Sequence, residues 1–277
     1  MIRVEEAGIV GRLIDFAWPW VESGQQVFPL AAFSPEGLRA VWQRCVDVRG
    51  DHLLLARSED ASVVGVTGLL VDEECRFLGG PIGAPYAAVA DAFLAWFTAH
   101  YADRPLSAGI SARHSGGYEW WRRHGRLREA SHVMVSQSGV AAPRPANACI
   151  VTPTAGSTAA RLHAEALPDG WWTADRVCAD VARWICLTNA TATAYLAARL
   201  GQDLMGRPEA EVFAALGGPS DLTELLVEAR ALSTRQHARR LVFFAAAEHR
   251  EAALGAGLQE VAGYADWVID PDAQTAT

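Results

Sequence analysis

Two short segments rich in glycine and proline each come directly before a predicted helix, and this arrangement can bind an anion. The first is Gly79-Gly80-Pro81-Ile82-Gly83-Ala84-Pro85 and the second is Gly217-Gly218-Pro219. The first amides of a helix lack intrahelical acceptors and lie at the positive end of its dipole, so they attract phosphate or carboxylate groups. Glycine lets the backbone approach such a group closely. These segments are the first candidates for chemistry.

The residue types exclude several other chemistries. All 24 basic residues are arginine, so a Walker A lysine, a kinase strand lysine and a Schiff-base lysine are absent. The eight histidines never form H-E-x-x-H, G-x-S-x-G does not occur, and the five cysteines contain no C-x-x-C pair. The sequence therefore predicts no metal site and no disulfide framework, and it favours small buried cysteines in a reducing compartment.

Composition and charge narrow the class of protein. Apolar residues make up 51% of the 277 residues and charged residues 20%, which is typical of a folded protein with a sizeable core. No stretch reaches the roughly 18 uninterrupted apolar residues of a membrane span, and the acidic start is unlike a signal peptide. The net charge of −8 argues against a broad nucleic-acid surface. We expect a cytoplasmic protein that binds neither membrane nor nucleic acid.

The elements that must position these segments follow one order, β-α-α-β-β-β-α-β-α-β, which occurs twice. In the first half, apolar runs predict a hairpin over residues 53–71 and a strand over 75–78 that ends in the first glycine segment. In the second half they predict the hairpin over 184–197 and the third strand over 211–216. The repeated order, with Gly83-x-Pro85 echoed by Gly217-x-Pro219, predicts an internal duplication. A proline-containing linker over 140–146 divides domains of 1–139 and 147–277.

This element order resembles the GNAT superfamily of acyl-CoA-dependent N-acyltransferases, one copy in each half. Ala210-Glu211-Val212 looks like the family's fourth strand, and Gly257-Leu258-Gln259-Glu260-Val261 looks like the turn into its last strands, as Gly125-Arg126-Leu127-Arg128-Glu129 does in the first half. The resemblance implies an α/β (α+β) fold of two mixed-sheet domains in tandem. It also implies an acyl-CoA substrate, most simply acetyl-CoA, and a small-molecule amine acceptor.

In the family, backbone amides of the R/Q-x-x-G-x-G/A turn after the fourth strand hold the CoA diphosphate. Both corresponding segments here lack the leading Arg or Gln and end in proline, which removes one donor from each. In the second half Ser220 and Asp221 would cap the helix themselves, whereas the first-half helix has no acid before Asp91. We therefore expect CoA in the first half, bound by Gly79, Gly80, Ile82, Gly83 and Ala84. The alternative is that this segment is only a tight strand-to-helix connection.

The resemblance also suggests catalytic residues, because the family often uses a strand Glu as base and a helix Tyr as acid. Glu74 at the head of the first-half strand and Tyr118 on the short helix are approximate matches, and His132 has the intrinsic pKa of a base near neutrality. The alternatives are an exposed acidic turn for Glu74, a helix-face residue for Tyr118 and a hydrogen-bonded strand residue for His132. Glu211 matches the strand Glu better, but no tyrosine follows it on the second short helix.

The sequence therefore predicts an acyltransferase that moves an acyl group from acyl-CoA to an amine. The second half then looks like a degenerate copy that forms part of a substrate cleft. Two alternatives stay open. One is a binding or scaffolding protein whose copies have both lost CoA affinity, which the proline-containing segments favour. The other is an aminoacyl transferase that uses charged tRNA, which the acidic charge disfavours.

Overall fold

The computed structural model describes residues 2–22, 35–136, 147–168, 172–202 and 207–271. The first ten elements run in the predicted order. They are β1 (Arg3–Glu6), α1 (Gly11–Glu22), α2 (Pro35–Asp47), β2 (His52–Arg57), β3 (Val63–Leu70), β4 (Cys75–Gly83), α3 (Tyr86–Tyr101), β5 (Leu106–Ser111), α4 (Ser115–His124) and β6 (Arg126–Ser136).

The next ten elements repeat that order, with two short 3-10 turns added. They are β7 (Ala148–Ile150), α5 (Thr158–Ala166), α6 (Ala174–Ala179), β8 (Trp184–Asn189), β9 (Tyr195–Gln202), β10 (Pro208–Leu216), α7 (Pro219–Arg235), β11 (Leu241–Ala245), α8 (Arg250–Gly255) and β12 (Leu258–Ile269). The predicted duplication of element order is confirmed. None of the helices in the described ranges has the length and apolar character to cross a bilayer.

The chain forms two compact units whose boundaries differ from the predicted ones. Unit 1 consists of residues 1–130 and 262–277, and unit 2 consists of residues 131–261. The division therefore falls within β6 and within β12, instead of between 1–139 and 147–277. The predicted linker, 140–146, lies outside the described residues.

The physical reason for the difference is strand pairing at long range. The last part of β12 pairs antiparallel with β5, from Tyr264 opposite Ser111 to Ile269 opposite Leu106. The last part of β6 pairs antiparallel with β11, from His132 opposite Ala245 to Val135 opposite Val242. Each unit is thus completed by a strand end from the other half of the sequence, and local periodicity carries no information about such pairing.

Unit 1 has the strand order β1-β2-β3-β4-β5-β12, in which β4 and β5 are parallel and the other pairs antiparallel. Helices α1 and α2 cover one face, where Trp42, Val66 and Ile82 share a core cluster. Helices α3 and α4 cover the other face, where Phe93 and Trp121 are fully buried. The buried positions of α2 recur with helical spacing, as the sequence predicts.

Unit 2 has the strand order β6-β11-β10-β9-β8-β7, in which β10 and β11 are parallel. Helices α7 and α8 cover one face with a cluster that contains Leu222, Leu226 and Val212. Helices α5 and α6 cover the other face with a cluster that contains Leu162 and Trp184. Both units are therefore mixed sheets between helices, the predicted fold class.

Candidate functional site

The parallel strands of unit 1 are paired only at their first residues. Cys75 lies opposite Leu106 and Arg76 opposite Ser107, yet β4 continues to Gly83 and β5 to Ser111. The carboxyl ends of the two strands therefore diverge, and two residues separate the end of β4 from the start of α3. An open end of parallel strands beside a helix N-terminus is a common place for a ligand in α/β folds.

The predicted cofactor residues lie mostly in β4 and not in a loop. Ile82 pairs with Val66 and Gly83 with Gly65, and the Ala84 amide donates to the Val64 carbonyl oxygen at 3.2 Å. The register jumps from the pair Gly68–Leu78 to the pair Val66–Ile82, so Gly79 and Gly80 lie in a bulge. The strand extends further than predicted because β3 supplies ladder partners, which sequence periodicity does not reveal.

The first turn of α3 is the open anion-attracting feature of unit 1. Its N-cap is Pro85, no side chain caps it, and it contains no acidic residue. Ala87 and Ala88 are exposed, so small side chains leave the first amides accessible. The donors that suit a diphosphate are therefore those of residues 86–88, and not that of Ala84, which is already bonded.

Unit 2 repeats this arrangement at its own parallel strands. Residues Ala210, Glu211 and Val212 pair with β11, and the strands then diverge while β10 continues to Leu216. Phe213 has no partner in the register with β9, so β10 bulges at the point of divergence. The N-cap of α7 is Gly218, without the predicted side-chain capping bond, although Asp221 lies in the first turn.

Glu74 directly precedes β4, at the paired amino end of the two parallel strands. Its oxygens accept bonds of 2.6 and 3.0 Å from Arg128. Partial burial alone raises the Glu74 pKa, but the hydrogen bonds from Arg128 and Ser107 outweigh that effect and hold it below its ordinary value. The structure therefore gives Glu74 a strong ion pair, which makes it a weak base.

The other two predicted catalytic residues lie in different units. Tyr118 is half-buried on α4, and its ring contacts Trp267 edge-on at 5.3 Å between centroids. His132 is on β6 in unit 2, and its Nδ1 lies 2.9 Å from Glu260 Oε1. Hydrogen bonds from His132 and Arg250 lower the Glu260 pKa. Tyr118 is thus a helix-face residue with a ring contact in unit 1, and His132 is a strand residue with a hydrogen bond in unit 2.

Glu211 is the carboxyl group that the fold places beside diverging strands. It lies on β10 opposite Arg199 of β9 and just before the bulge. Burial raises its pKa from 4.5 to about 7, repulsion from Glu209 adds to the increase, and Arg199 partly offsets it. In the sequence Glu211 is recognisable only as an acid at an alternating position of an apolar strand. The residues that surround it are brought there by strand pairing, which the sequence does not reveal.

Arg76 holds the position in unit 1 that Glu211 holds in unit 2. The parallel pairing begins at Leu106, the first residue of β5, and at Leu241, the first residue of β11. Arg76 on β4 and Glu211 on β10 each belong to the second residue pair of that pairing. An Arg76 Nη donates at 2.7 Å to both Asp266 and the Tyr264 hydroxyl. At this position unit 1 thus has a guanidinium whose charge is balanced by an ion pair, whereas unit 2 has a carboxyl with a raised pKa.

Comparison with known proteins adds a fold relationship without close sequence relatives. No family model and no curated protein matches the sequence. A GCN5-related N-acetyltransferase from Sphaerobacter thermophilus is similar in structure, with a TM-score of 0.61, 13% identity, and coverage of 98% of this chain and 96% of that one. A tandem GNAT protein from the clavulanic acid biosynthesis pathway has a TM-score of 0.54 and 15% identity, and covers 98% and 99% of the respective chains.

These similarities extend over nearly the whole of this chain and of the two solved structures. The predicted resemblance is thereby confirmed at the level of the fold. The chain has the fold of the GNAT N-acetyltransferases, in the tandem arrangement that its duplicated element order predicts.

Proposed function

We propose that the protein is an acyl-CoA-dependent N-acyltransferase that transfers an acyl group, most simply acetyl, to an amine of a small molecule. We further propose that unit 2 contains the reaction centre. The observation that carries the proposal is Glu211, a carboxyl with a pKa of about 7 at the point where β10 and β11 diverge. A base that titrates near neutrality is well matched to an amine acceptor.

The chemistry needs no covalent enzyme intermediate. The Glu211 carboxylate accepts a proton from the ammonium form of the acceptor, and the freed nitrogen lone pair then attacks the thioester carbonyl carbon. A C–N bond forms, the C–S bond breaks, and the leaving thiolate takes up the second proton that the nitrogen loses; the Glu211 proton then passes to water. The bulge at Phe213 interrupts the ladder beside Glu211, and a backbone amide released there can donate to the oxyanion.

Acyl-CoA supplies the activated acyl group, and its diphosphate suits a helix N-terminus. In unit 2 the first turn of α7 directly follows the strand that carries Glu211, although Asp221 there repels an anion. In unit 1 the first turn of α3 has no acid. At the position that corresponds to Glu211, unit 1 has Arg76 and therefore no base. This favours a binding role for unit 1, and it supports the non-catalytic alternative for that unit alone.

The first experiment locates the reaction centre by measuring thiol release from acetyl-CoA with a panel of amines. We expect Glu211→Gln to lower kcat by on the order of 100-fold, the usual contribution of a general base. The matched variant Glu74→Gln removes a carboxyl charge from the other unit and should change kcat less than about threefold, because Glu74 is held by Arg128. The reverse pattern would transfer the site to unit 1.

A second experiment distinguishes the two helix N-termini. Ser220→Glu and Ala87→Glu each place an acid at an exposed first-turn position, where it is compatible with the helix. We expect Ser220→Glu to weaken acetyl-CoA binding in calorimetry by roughly tenfold or more through anion repulsion, with Ala87→Glu much less affected. Loss of binding only in Ala87→Glu would instead support the predicted cofactor site in unit 1.

A further inference from the structure

We propose that the acyl acceptor carries a carboxylate beside its amine, as an amino acid or short peptide does, and that Arg199 binds this carboxylate. The inference rests on the proposed function, since it identifies the substrate class of the same unit. It is carried by an arginine beside a cavity that is oriented by an aromatic ring and forms no hydrogen bond or ion pair among the described residues.

The Arg199 guanidinium lies over an aromatic ring, and Glu211 on the neighbouring strand interacts with its charge without forming an ion pair. Its guanidinium carbon lies 4.6 Å from the centroid of the Trp172 ring. Among the described residues it forms no hydrogen bond or ion pair, and its buried Nε has no partner. Other half-buried arginines differ, since Arg240 is bonded to Glu209 and Arg76 to Asp266. A buried unpaired donor is costly, and a ligand carboxylate would satisfy it.

A cavity of about 450 Å³ adjoins this guanidinium. Its wall includes Arg199, Arg183, Gln202, Glu209 and Gln236, all in unit 2. The volume is sufficient for a small molecule. The wall is polar and of mixed charge, which suits a ligand with both an anionic and a cationic group better than a purely apolar one.

Aromatic side chains line the sheet face beside Arg199. Trp184 is directly opposite it on β8, and the Trp184 ring lies 5.3 Å from Trp172 and 5.8 Å from Phe213. The buried Trp184 Nε1 has no partner among the described residues, so the residue paired with Arg199 carries a second unused donor. These rings form the apolar side of the Arg199 surroundings, where an interaction with an anion is stronger than in water.

The separation of Arg199 and Glu211 fits an amine and a carboxylate on one small molecule. The two residues are opposite each other on neighbouring strands, where Cβ atoms are about 5 Å apart. The amine must reach Glu211 for its proton to be removed, so a carboxylate a few bonds away falls within reach of Arg199. Glu209 and Glu211 add negative charge nearby and disfavour a dianionic phosphate relative to a carboxylate.

The test compares acceptors that differ only in the carboxylate, such as phenylalanine and phenylalaninamide, with acetyl-CoA as donor. We expect the wild-type kcat/KM to favour the acid by on the order of tenfold or more, and Arg199→Gln to abolish that preference. Arg161→Gln on α5 removes the same charge from an exposed ion pair with Glu165 and should leave the preference unchanged. Circular dichroism and Tm verify that both variants fold.

Binding of N-acetylphenylalanine, measured by calorimetry, provides a readout that does not need turnover. Binding that is lost in Arg199→Gln and retained in Arg161→Gln supports the carboxylate site. Equal use of acid and amide by the wild-type protein, or N-acetylphenylalanine binding that does not depend on Arg199, overturns it even if acyl transfer occurs. Absence of transfer to every amine would instead contradict the proposed function, and the calorimetric result would still decide the site.

Discussion

At the scale of single residues, Glu211 differs from the other candidate acids because its protonation changes near neutral pH. Burial and repulsion from Glu209 raise its pKa to about 7, while Arg199 opposes the increase. Glu74 and Glu260 have lowered pKa values because arginine or histidine donors occupy their oxygens. A base must be both ionised and able to hold a proton, and among these three carboxyls only Glu211 combines the two properties at physiological pH.

The first prediction concerns the pH dependence of the reaction. In the wild-type protein kcat/KM should rise about tenfold per pH unit below pH 7 and level off above it, as the Glu211 carboxyl ionises. In Glu211→Gln this inflection should disappear along with most of the activity. Initial rates between pH 5 and 9, with an acceptor amine whose own pKa lies outside that range, measure the effect. An unchanged inflection in the variant would assign the titration to another group.

The second prediction follows from the same carboxyl and concerns stability. The folded protein holds the Glu211 proton up to about pH 7, whereas the unfolded chain releases it near pH 4.5. The contribution of the protonated carboxyl to folding is therefore fully present below pH 4.5 and is lost as the pH rises through 7. Relative to Glu211→Gln, the wild type should lose about 2 to 3 kcal/mol of unfolding free energy between pH 5 and pH 8. Urea titrations of both proteins at these two pH values measure the effect. The prediction is refuted if the difference in unfolding free energy between wild type and Glu211→Gln is the same at pH 5 and pH 8.

At the scale of elements, the order of strands and helices was predictable but the extent of β4 was not. Helical and strand periodicities are local, so residues such as Leu38, Val41 and Trp42 reveal α2 without any knowledge of its partners. The end of β4 is determined by Gly65 and Val66 on the neighbouring strand. The same limit applies to the candidate site, because the environment of Glu211 comes from Arg199, a cross-strand neighbour twelve positions earlier in the sequence.

The glycines at the ends of the two fourth strands give the third prediction. Gly83 has a φ of +156°, and a Cβ there would lie 2.2 Å from the Val64 carbonyl oxygen, while at Gly217, with a φ of +132°, it would lie 2.5 Å from Ala194 Cβ. Gly83→Ala and Gly217→Ala should therefore each destabilise the protein by about 2 to 4 kcal/mol.

Gly218→Ala is the matched control, because nothing lies within 4 Å of its added Cβ and its φ is −68°. It should cost less than about 1 kcal/mol. Chemical denaturation of the three variants provides the comparison. Equal losses at Gly217 and Gly218 would mean that the close approach to Ala194 does not constrain the turn.

At the scale of the whole molecule, the two units are not the two halves of the sequence. Residues 262–269 complete the sheet of unit 1 by pairing with β5, and they bury Ala265, Trp267 and Ile269 in its core. These pairings predict that fragments cut at the predicted linker do not fold as two independent domains. The fragment 1–139 lacks the strand that covers β5, and its exposed edge is a site for aggregation.

The fourth prediction uses this exchange of strand ends. A chain that stops after Val261 should lose hydrogen-exchange protection in β5 and α4 of unit 1, because Trp267 and its neighbours no longer bury those elements, whereas α7 and β10 of unit 2 should stay protected. A chain that stops after Pro271 retains every paired residue of β12 and serves as the control.

Trp267→Ala in the full chain is a milder form of the same change. It should lower the free energy of unfolding by about 3 to 5 kcal/mol, again with the loss of protection concentrated in unit 1. Exchange mass spectrometry that found the loss spread evenly over both units, or confined to residues 131–261, would contradict the assignment of this strand to unit 1.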